Sequence, residues 1–186
     1  MENELLATGR VESLCINGLS VDTIRFGFEG PIGEVHRGFL RTLSGHDGGY
    51  IRTSELKKGE TVFSWRSWTA LSKEEMTETE ALLGHLIPQG CLLENIVVSG
   101  IPNFTKLLPT SRLVFPRRET QAVLAIWEEN SPCHVVGQRL ADHYGNAELK
   151  KRLILEARDR RGVMGLVLSP GKVEVGDTIL VYPPMQ

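Results

Sequence analysis

The chain has 186 residues, 41% hydrophobic and 24% charged, with a formal net charge of -2. That length supports one well-cored domain, and near-neutrality excludes recruitment of nucleic acid or of a membrane surface by global charge. No apolar run approaches the roughly 20 residues that span a bilayer, and the mixed, acidic opening from Met1 to Arg10 does not read as a secretory signal.

Nineteen glycines and nine prolines call for many turns and favour strands over a helical bundle. The three cysteines, Cys15, Cys91 and Cys133, are scattered and odd in number. They form neither a disulfide framework nor a paired zinc motif, so a reduced, cytoplasmic protein is expected.

Residues 10–17 read as a first strand, with Val11, Leu14 and Ile16 in partial alternation. Residues 21–28 follow, with Ile24, Phe26 and Phe28 on one face, the period-2 signal of a half-buried strand. Asn17-Gly18 between them is a turn signal. Residues 30–49 differ: Gly30, Gly33, Gly38, Gly45, Gly48 and Gly49 interleave with His36, Arg37, Arg41, His46 and Asp47. Such a loop brings backbone N–H groups close to a ligand, and Arg and His hold anions; it equally suits a surface loop made soluble by charge. It lacks the Gly-Lys-Ser/Thr of a phosphate loop, and its spacing fits no standard zinc motif.

Residues 61–69 are strand-like and hold Trp65 and Trp68, read as packing residues. Ser72-Lys73-Glu74-Glu75 is a capping box. It opens a helix to about Leu83, with Met76, Leu82 and Leu83 as its buried face and Gly84 as its stop. Residues 92–98 form a further buried strand interrupted by Glu94-Asn95, polar residues that need partners or a ligand there. Residues 112–115 and 122–127 pair across the basic turn Pro116-Arg117-Arg118.

That pair leads into Asn130-Ser131-Pro132-Cys133-His134-Val135-Val136-Gly137, after which Val136, Leu140 and Tyr144 recur at helical spacing. Ser131 suits the N-cap and Pro132 the first helical position, which predicts Cys133 in the first turn. Unpaired N–H groups and the positive helix end stabilise an anion there. This is a setting for a thiolate that attacks electrophiles or binds a soft metal; a buried, inert cysteine is the alternative. A second helix covers residues 147–157. Arg158, Arg160 and Arg161 then suit either a phosphate or carboxylate clamp or a solvated helix end. Strands at residues 163–168 and 178–182 close the chain around turns at Ser169-Pro170-Gly171-Lys172 and Gly176-Asp177. The pattern predicts a mostly β, barrel-like α+β domain with two or three helices.

The order of motifs resembles the MOSC domain family, named for the C-terminal domain of molybdenum cofactor sulfurase. Five stretches carry the resemblance: residues 33–38, Glu94-Asn95-Ile96-Val97-Val98 with Gly100-Ile101, Ser131-Pro132-Cys133 with Gly137, Arg160-Arg161-Gly162-Val163, and residues 170–177. Together they cover residues 8–183 as one domain. The resemblance implies a closed or partly open β-barrel similar to the pyruvate kinase barrel domain. It also implies the molybdenum cofactor, a pterin dithiolene with a terminal phosphate. Cys133 would carry sulfur for transfer, or ligate molybdenum in a reductase of N-hydroxylated compounds. Two positions depart from the pattern: Leu93 stands where glycine often precedes the Glu-Asn pair, and Glu34 where aspartate is common.

On this reading Cys133 is metal ligand or persulfide carrier and His134 a nearby proton donor. His36, Arg37, Arg41, Asn95, Arg158, Arg160 and Arg161 hold the anionic cofactor. A flavin or iron–sulfur reductase, or a sulfur-donor protein, is the expected partner, with neither nucleic acid nor membrane. No pyridoxal phosphate site is expected in this chain. Two alternatives stay open: a non-catalytic barrel binding a small anion or a protein, and a cofactor-free thiol enzyme using Cys133 with His134 or His36.

Overall fold

The computed structural model describes residues 4–44, 56–117 and 120–184. Gly45, His46, Asp47, Gly48, Gly49 and Arg118, named above, lie outside the described residues. The strands are β1 (Ala7–Ile16), β2 (Leu19–Val21), β3 (Thr23–Gly27), β4 (Gly30–Pro31), β5 (Leu40–Thr42), β6 (Thr61–Phe63), β7 (Trp68–Ser72), β8 (Ile96–Ser99), β9 (Arg112–Phe115), β10 (Ala122–Glu129), β11 (Val163–Ser169), β12 (Gly171–Glu174) and β13 (Thr178–Tyr182). The helices are α1 (Lys73–Leu83), α2 (His134–Tyr144) and α3 (Glu148–Glu156).

The main sheet runs β13-β9-β10-β11-β7-β8-β1-β2, and β13 also pairs with β1, with Ala7 opposite Val181. That pairing closes a seven-strand barrel and leaves β2 outside the ring. Closure removes the exposed sheet edges that promote aggregation. Among the described strands only β7 and β8 pair in parallel, and α1 makes the crossover that such a pair requires. A small sheet, β12-β3-β4, brings Ile24, Phe26 and Val173 into the barrel core.

Two cores share the barrel wall. Inside lie Val11, Leu14, Trp68, Ala70, Ile96, Val98, Leu113, Leu124 and their neighbours. Outside, Leu71 and Val97 pack against Met76, Leu83, Val136, Leu140, Leu149 and Leu153 from the three helices. Alternation along β7 and β8 therefore feeds both cores, and this is why both strands are apolar on each face. Among the described residues no helix is long and apolar enough to cross a membrane.

Several local expectations change. The strand expected over residues 92–98 begins only at Ile96, because Pro88 to Glu94 are turned and Leu93 has φ +56°. The second strand splits at Asp22, and Phe28 ends up exposed. Residues 61–69 divide into β6 and β7, with Trp68 in the core and Trp65 stacked on Trp127 at 5.9 Å. Ser72 caps α1, but the Glu75 carboxylate turns away to Thr105. Met76 and Leu83 are buried while Leu82 faces solvent. The expected turn after β11 shrinks to Pro170, since Gly171 already opens β12. Arg117 does more than populate a turn: it grips Glu174 (2.6 Å) and Asp177 (2.7 Å).

Candidate functional site

Cys133 lies at the start of α2, but as the N-cap itself rather than within the first turn. Residues 131 and 132 stay outside the helix, and Cys133 has extended backbone (φ −129°, ψ 167°). Its carbonyl accepts the first helical bond, from Gly137 N at 3.2 Å. The cysteine side chain makes no capping hydrogen bond, and it sits at a helix N-terminus, where first-turn amides lack intrahelical partners. It is half-buried against the outer core, whereas Cys15 and Cys91 are buried.

The α2 terminus is held in place from several sides. Gly137 sits so close to α3 that an added Cβ would lie 2.6 Å from the Lys150 carbonyl. Arg139 donates to the carbonyls of Cys91 (3.1 Å) and Gly90 (3.3 Å), tying α2 to the turn before β8. Just before Cys133, Asn130 N bonds the Gly162 carbonyl at 2.9 Å, which sets the Cys133 loop beside Arg161-Gly162. Gly162 takes φ +73°, and a Cβ there would lie 1.9 Å from the Ala70 carbonyl, so only glycine allows this approach.

Arg161 is the chemical centre of this arrangement. Its side chain is buried, and Nη2 donates to the Leu92 carbonyl. Burial lowers its pKa to about 10, with Arg66 adding repulsion; Glu94, Cys133 and Cys91 act in the opposite direction. Guanidinium, carboxylate and two sulfurs are thus near neighbours. Glu94 is buried too; its Oε1 accepts from Gly90 N at 2.5 Å, and burial pushes its pKa upward. Arg161 Nε and Nη1, Asn130 Nδ2 and Glu94 Oε2 are buried atoms without a hydrogen-bond partner. Leaving such atoms unpaired costs roughly 1–3 kcal/mol each, so together they mark a place for water or ligand atoms.

The other expected site residues spread out. Asn95 spends its side chain on the fold: Oδ1 accepts from Thr69 N (3.0 Å), and Nδ2 donates to Cys15 O (3.3 Å) and Glu34 Oε2 (3.1 Å). Glu34 also accepts from Asn17 N at 2.9 Å, so this network anchors the loop that carries His36. His36 is exposed, and Arg37 is exposed and paired with Glu29 at 3.1 Å. Arg41 lies on β5 and is half-buried. The three late arginines do not converge. Arg158 is exposed, Arg160 pairs with Glu78 at 3.0 Å, and Arg161 alone turns inward. His134 is the exposed first residue of α2, and neighbouring helix residues diverge. Sequence reasoning did not assign Arg66, Glu94, Asn130 or Arg139 to the site. The buried polar character of Glu94 was the one available signal. Among the described residues no three His, Cys, Asp or Glu side chains cluster to hold a metal, so Cys133 would be a lone protein ligand.

Fold and site together define a β-barrel protein organised around one half-exposed thiol at a helix N-terminus. A family model for the MOSC domain matches residues 64–180, and the chain belongs to the MOSC domain family. It is 29% identical over 165 residues to YuaD of Bacillus subtilis (strain 168), covering 87% of this chain and 81% of that one. That relative's name assigns it provisionally to metal-sulfur cluster biosynthesis. The crystal structure of the B. subtilis YuaD protein superposes with a TM-score of 0.85 at 28% identity, covering 96% of this chain and 97% of that one. YiiM from Escherichia coli shares the fold at a TM-score of 0.56 and 15% identity, covering 95% of this chain and 71% of that one.

Proposed function

We propose that this MOSC protein handles sulfur for a molybdenum or metal–sulfur centre, with Cys133 as the residue that holds the sulfur and faces the metal. The observation that carries this reading is the placement of Cys133. Of the three thiols it alone is half-exposed, it caps α2, and a buried guanidinium stands beside it. A soft thiolate next to fixed positive charge suits both a persulfide and a soft metal. The name of the relative YuaD points the same way.

The residues present fit the sulfur-bearing end of a molybdenum cofactor. Cys133 supplies the soft donor, and the unpartnered N–H groups of Arg161 and Asn130 supply donors for oxygen or sulfur atoms. When bound, the cofactor would supply two-electron redox chemistry. The chain's own part is to hold that end and to pack the Cys133 side chain against the outer core that contains Leu71 and Val97. His36 and Arg37, on the loop anchored by Glu34, and Arg41 on β5 are the groups proposed for the phosphate end.

The test is protein purified without reductant from a host that makes molybdenum cofactor. Intact mass after blocking free thiols is expected to show an added sulfur on the Cys133 peptide. Molybdenum and an oxidisable pterin are expected in the same preparation, the metal being lost in Cys133→Ala. Absence of added sulfur, metal and pterin, in a host that loads other molybdenum proteins, overturns the reading. Reduction of an N-hydroxylated base by the loaded protein with a flavin reductase would assign the oxidoreductase branch of the family.

A further inference from the structure

We propose that the barrel carries a ligand site apart from Cys133, on the outer faces of β9, β10 and β13, and that this site takes a small monocarboxylate with an apolar body. It does not depend on the function proposed for the Cys133 loop.

The alternation of three neighbouring strands builds the floor. Leu113 and Phe115 of β9, Ala122 and Leu124 of β10, and Ile179 and Val181 of β13 belong to the barrel core, so the residues between them face outward. Val114 stands opposite both Val123 and Leu180, which makes an apolar row across the three strands. Arg112 stands opposite Tyr182 in the next outward row, about 7 Å farther along the strands. A cavity of about 860 Å³ is lined by both rows, with Glu4 and Gln121 also on its wall. Small-molecule sites ordinarily enclose about 300–1,000 Å³. The stretch of β10 from Val123 to Glu129, about 20 Å of strand, separates this cavity from the strand end that leads to Cys133.

Arg112 supplies the reason for an anion. Its Nε and Nη2 are buried and have no hydrogen-bond partner. No hydrogen bond or ion pair joins the guanidinium to any described residue. Its central carbon lies 5.5 Å from the centroid of the Tyr182 ring. A ring face attracts the cation but gives its N–H groups no oxygen acceptor. Burying the donors of a cation without acceptors is costly. Nη1 is not among those buried atoms, and it is left to meet a ligand from the cavity.

The second charge on the wall sets the class of anion. Glu4 is exposed there and does not pair with Arg112. One guanidinium facing one carboxylate suits a ligand with a single negative charge. A phosphate dianion or a dicarboxylate would bring its second charge against Glu4. The apolar row beside Arg112 then suits an apolar body joined closely to the ligand's carboxylate. Phenylacetate has that form, with a ring one carbon removed from its carboxylate.

Binding to the full chain is read by ligand-observed NMR titration with three probes. Phenylacetate carries ring and charge, 2-phenylethanol keeps the ring without the charge, and acetate keeps the charge without the ring. Phenylacetate is expected to bind saturably, and each of the other two at least about tenfold more weakly. Arg112→Gln is expected to weaken phenylacetate binding by about tenfold or more. Gln121→Glu adds a carboxylate to the wall at an exposed position, so it keeps the test available if the Arg112 variant fails to fold. It too is expected to weaken phenylacetate binding, and Glu4→Gln to strengthen it. Cys133→Ala is expected to bind as the parent protein does. Absence of saturable phenylacetate binding overturns the proposal. Equal affinity for the alcohol and the acid overturns the role given to Arg112. Binding that neither Arg112→Gln nor Gln121→Glu weakens overturns the location, and loss of binding in Cys133→Ala overturns the separation from the Cys133 loop.

Discussion

Arg161 donates from Nη2 to the backbone carbonyl of Leu92, joining the chain that enters β11 to the turn before β8. The bond links the two segments that flank the Cys133 loop, so one side chain both braces the site and charges it. Its partner is a backbone atom, and this explains why the guanidinium keeps donors to spare.

Truncating Arg161 removes that brace. Arg161→Ala is expected to cost about 3–5 kcal/mol, from the cavity left by a large buried side chain and from an unpaired Leu92 carbonyl. Arg161→Met fills most of the volume and discards a desolvated charge, so its cost is expected to be smaller. Urea midpoints for the two variants check the order; a Met variant less stable than the Ala variant would contradict it.

Asn95 tests structure against binding. Asn95→Ala leaves Thr69 N and the Cys15 carbonyl without their side-chain partner and removes one of the bonds that hold Glu34. A loss of about 2–4 kcal/mol is expected for these buried polar groups. His36→Ala, at an exposed position, is expected within about 0.5 kcal/mol of the parent protein. Denaturation of both in the absence of any cofactor separates a structural from a ligand-binding role.

Glycine substitutions probe the close approach that sets the Cys133 loop. Gly162→Ala places a Cβ 1.9 Å from the Ala70 carbonyl at φ +73°, and more than about 3 kcal/mol of destabilisation is expected. Gly145 has a similar φ of +60° but open space around it, so Gly145→Ala is expected to cost only about 1 kcal/mol. Comparable losses at the two positions would mean that the contact with β7 does not matter.

What could be read from the sequence was local. Ser72 and Gly84 cap α1 as their chemistry requires, and Asn17-Gly18 turns β1 into β2 with both φ angles positive. Cys133 was legible because a cap and an apolar helix period meet there. The closure of β1 on β13 was not, since nothing in either strand encodes a partner so far along the chain. The separate fates of Arg158, Arg160 and Arg161 were hidden for the same reason. Asp159 and Gly162 take positive φ, and those turns decide which arginine faces inward. Leu93 gave a partial hint: glycine was the expected residue, and the backbone there is left-handed. A leucine tolerates that strain, at roughly 1–2 kcal/mol, because the turn around it is pinned by Arg139 and Glu94.

Glu94 gives a pH signature with a definite sign. Its pKa is raised in the folded chain, chiefly by burial. The stability linked to its protonated form is therefore fully present below the ordinary carboxylate value of 4.5 and is lost as pH rises through the folded value. Glu94→Gln cannot titrate. The stability of the parent protein relative to Glu94→Gln is expected to fall as pH rises from 4.5 toward neutrality. Parallel stability curves over that window would show that the carboxyl is not strained by its burial.

The thiols give the most direct reading of the site. Cys15 is fully buried, and burial followed by the Glu94 charge pushes its pKa up to about 11. Cys91 is raised as well, chiefly by burial and despite the nearby Arg139. Reaction with iodoacetamide needs both a thiolate and an open path, and these two sulfurs have neither at neutral pH. Cys133 is half-exposed at the helix end and has the path. Peptide mass analysis of the folded protein at neutral pH is therefore expected to find label on Cys133 first. Cys15 and Cys91 should react only after denaturant is added, when all three thiols are accessible. Cys133→Ala should leave a folded protein with no fast-reacting thiol. Labelling of Cys15 or Cys91 at a rate matching Cys133 in the folded state would mean that the structure covering those sulfurs opens readily, and Cys133 would lose its claim to be the site's reactive sulfur.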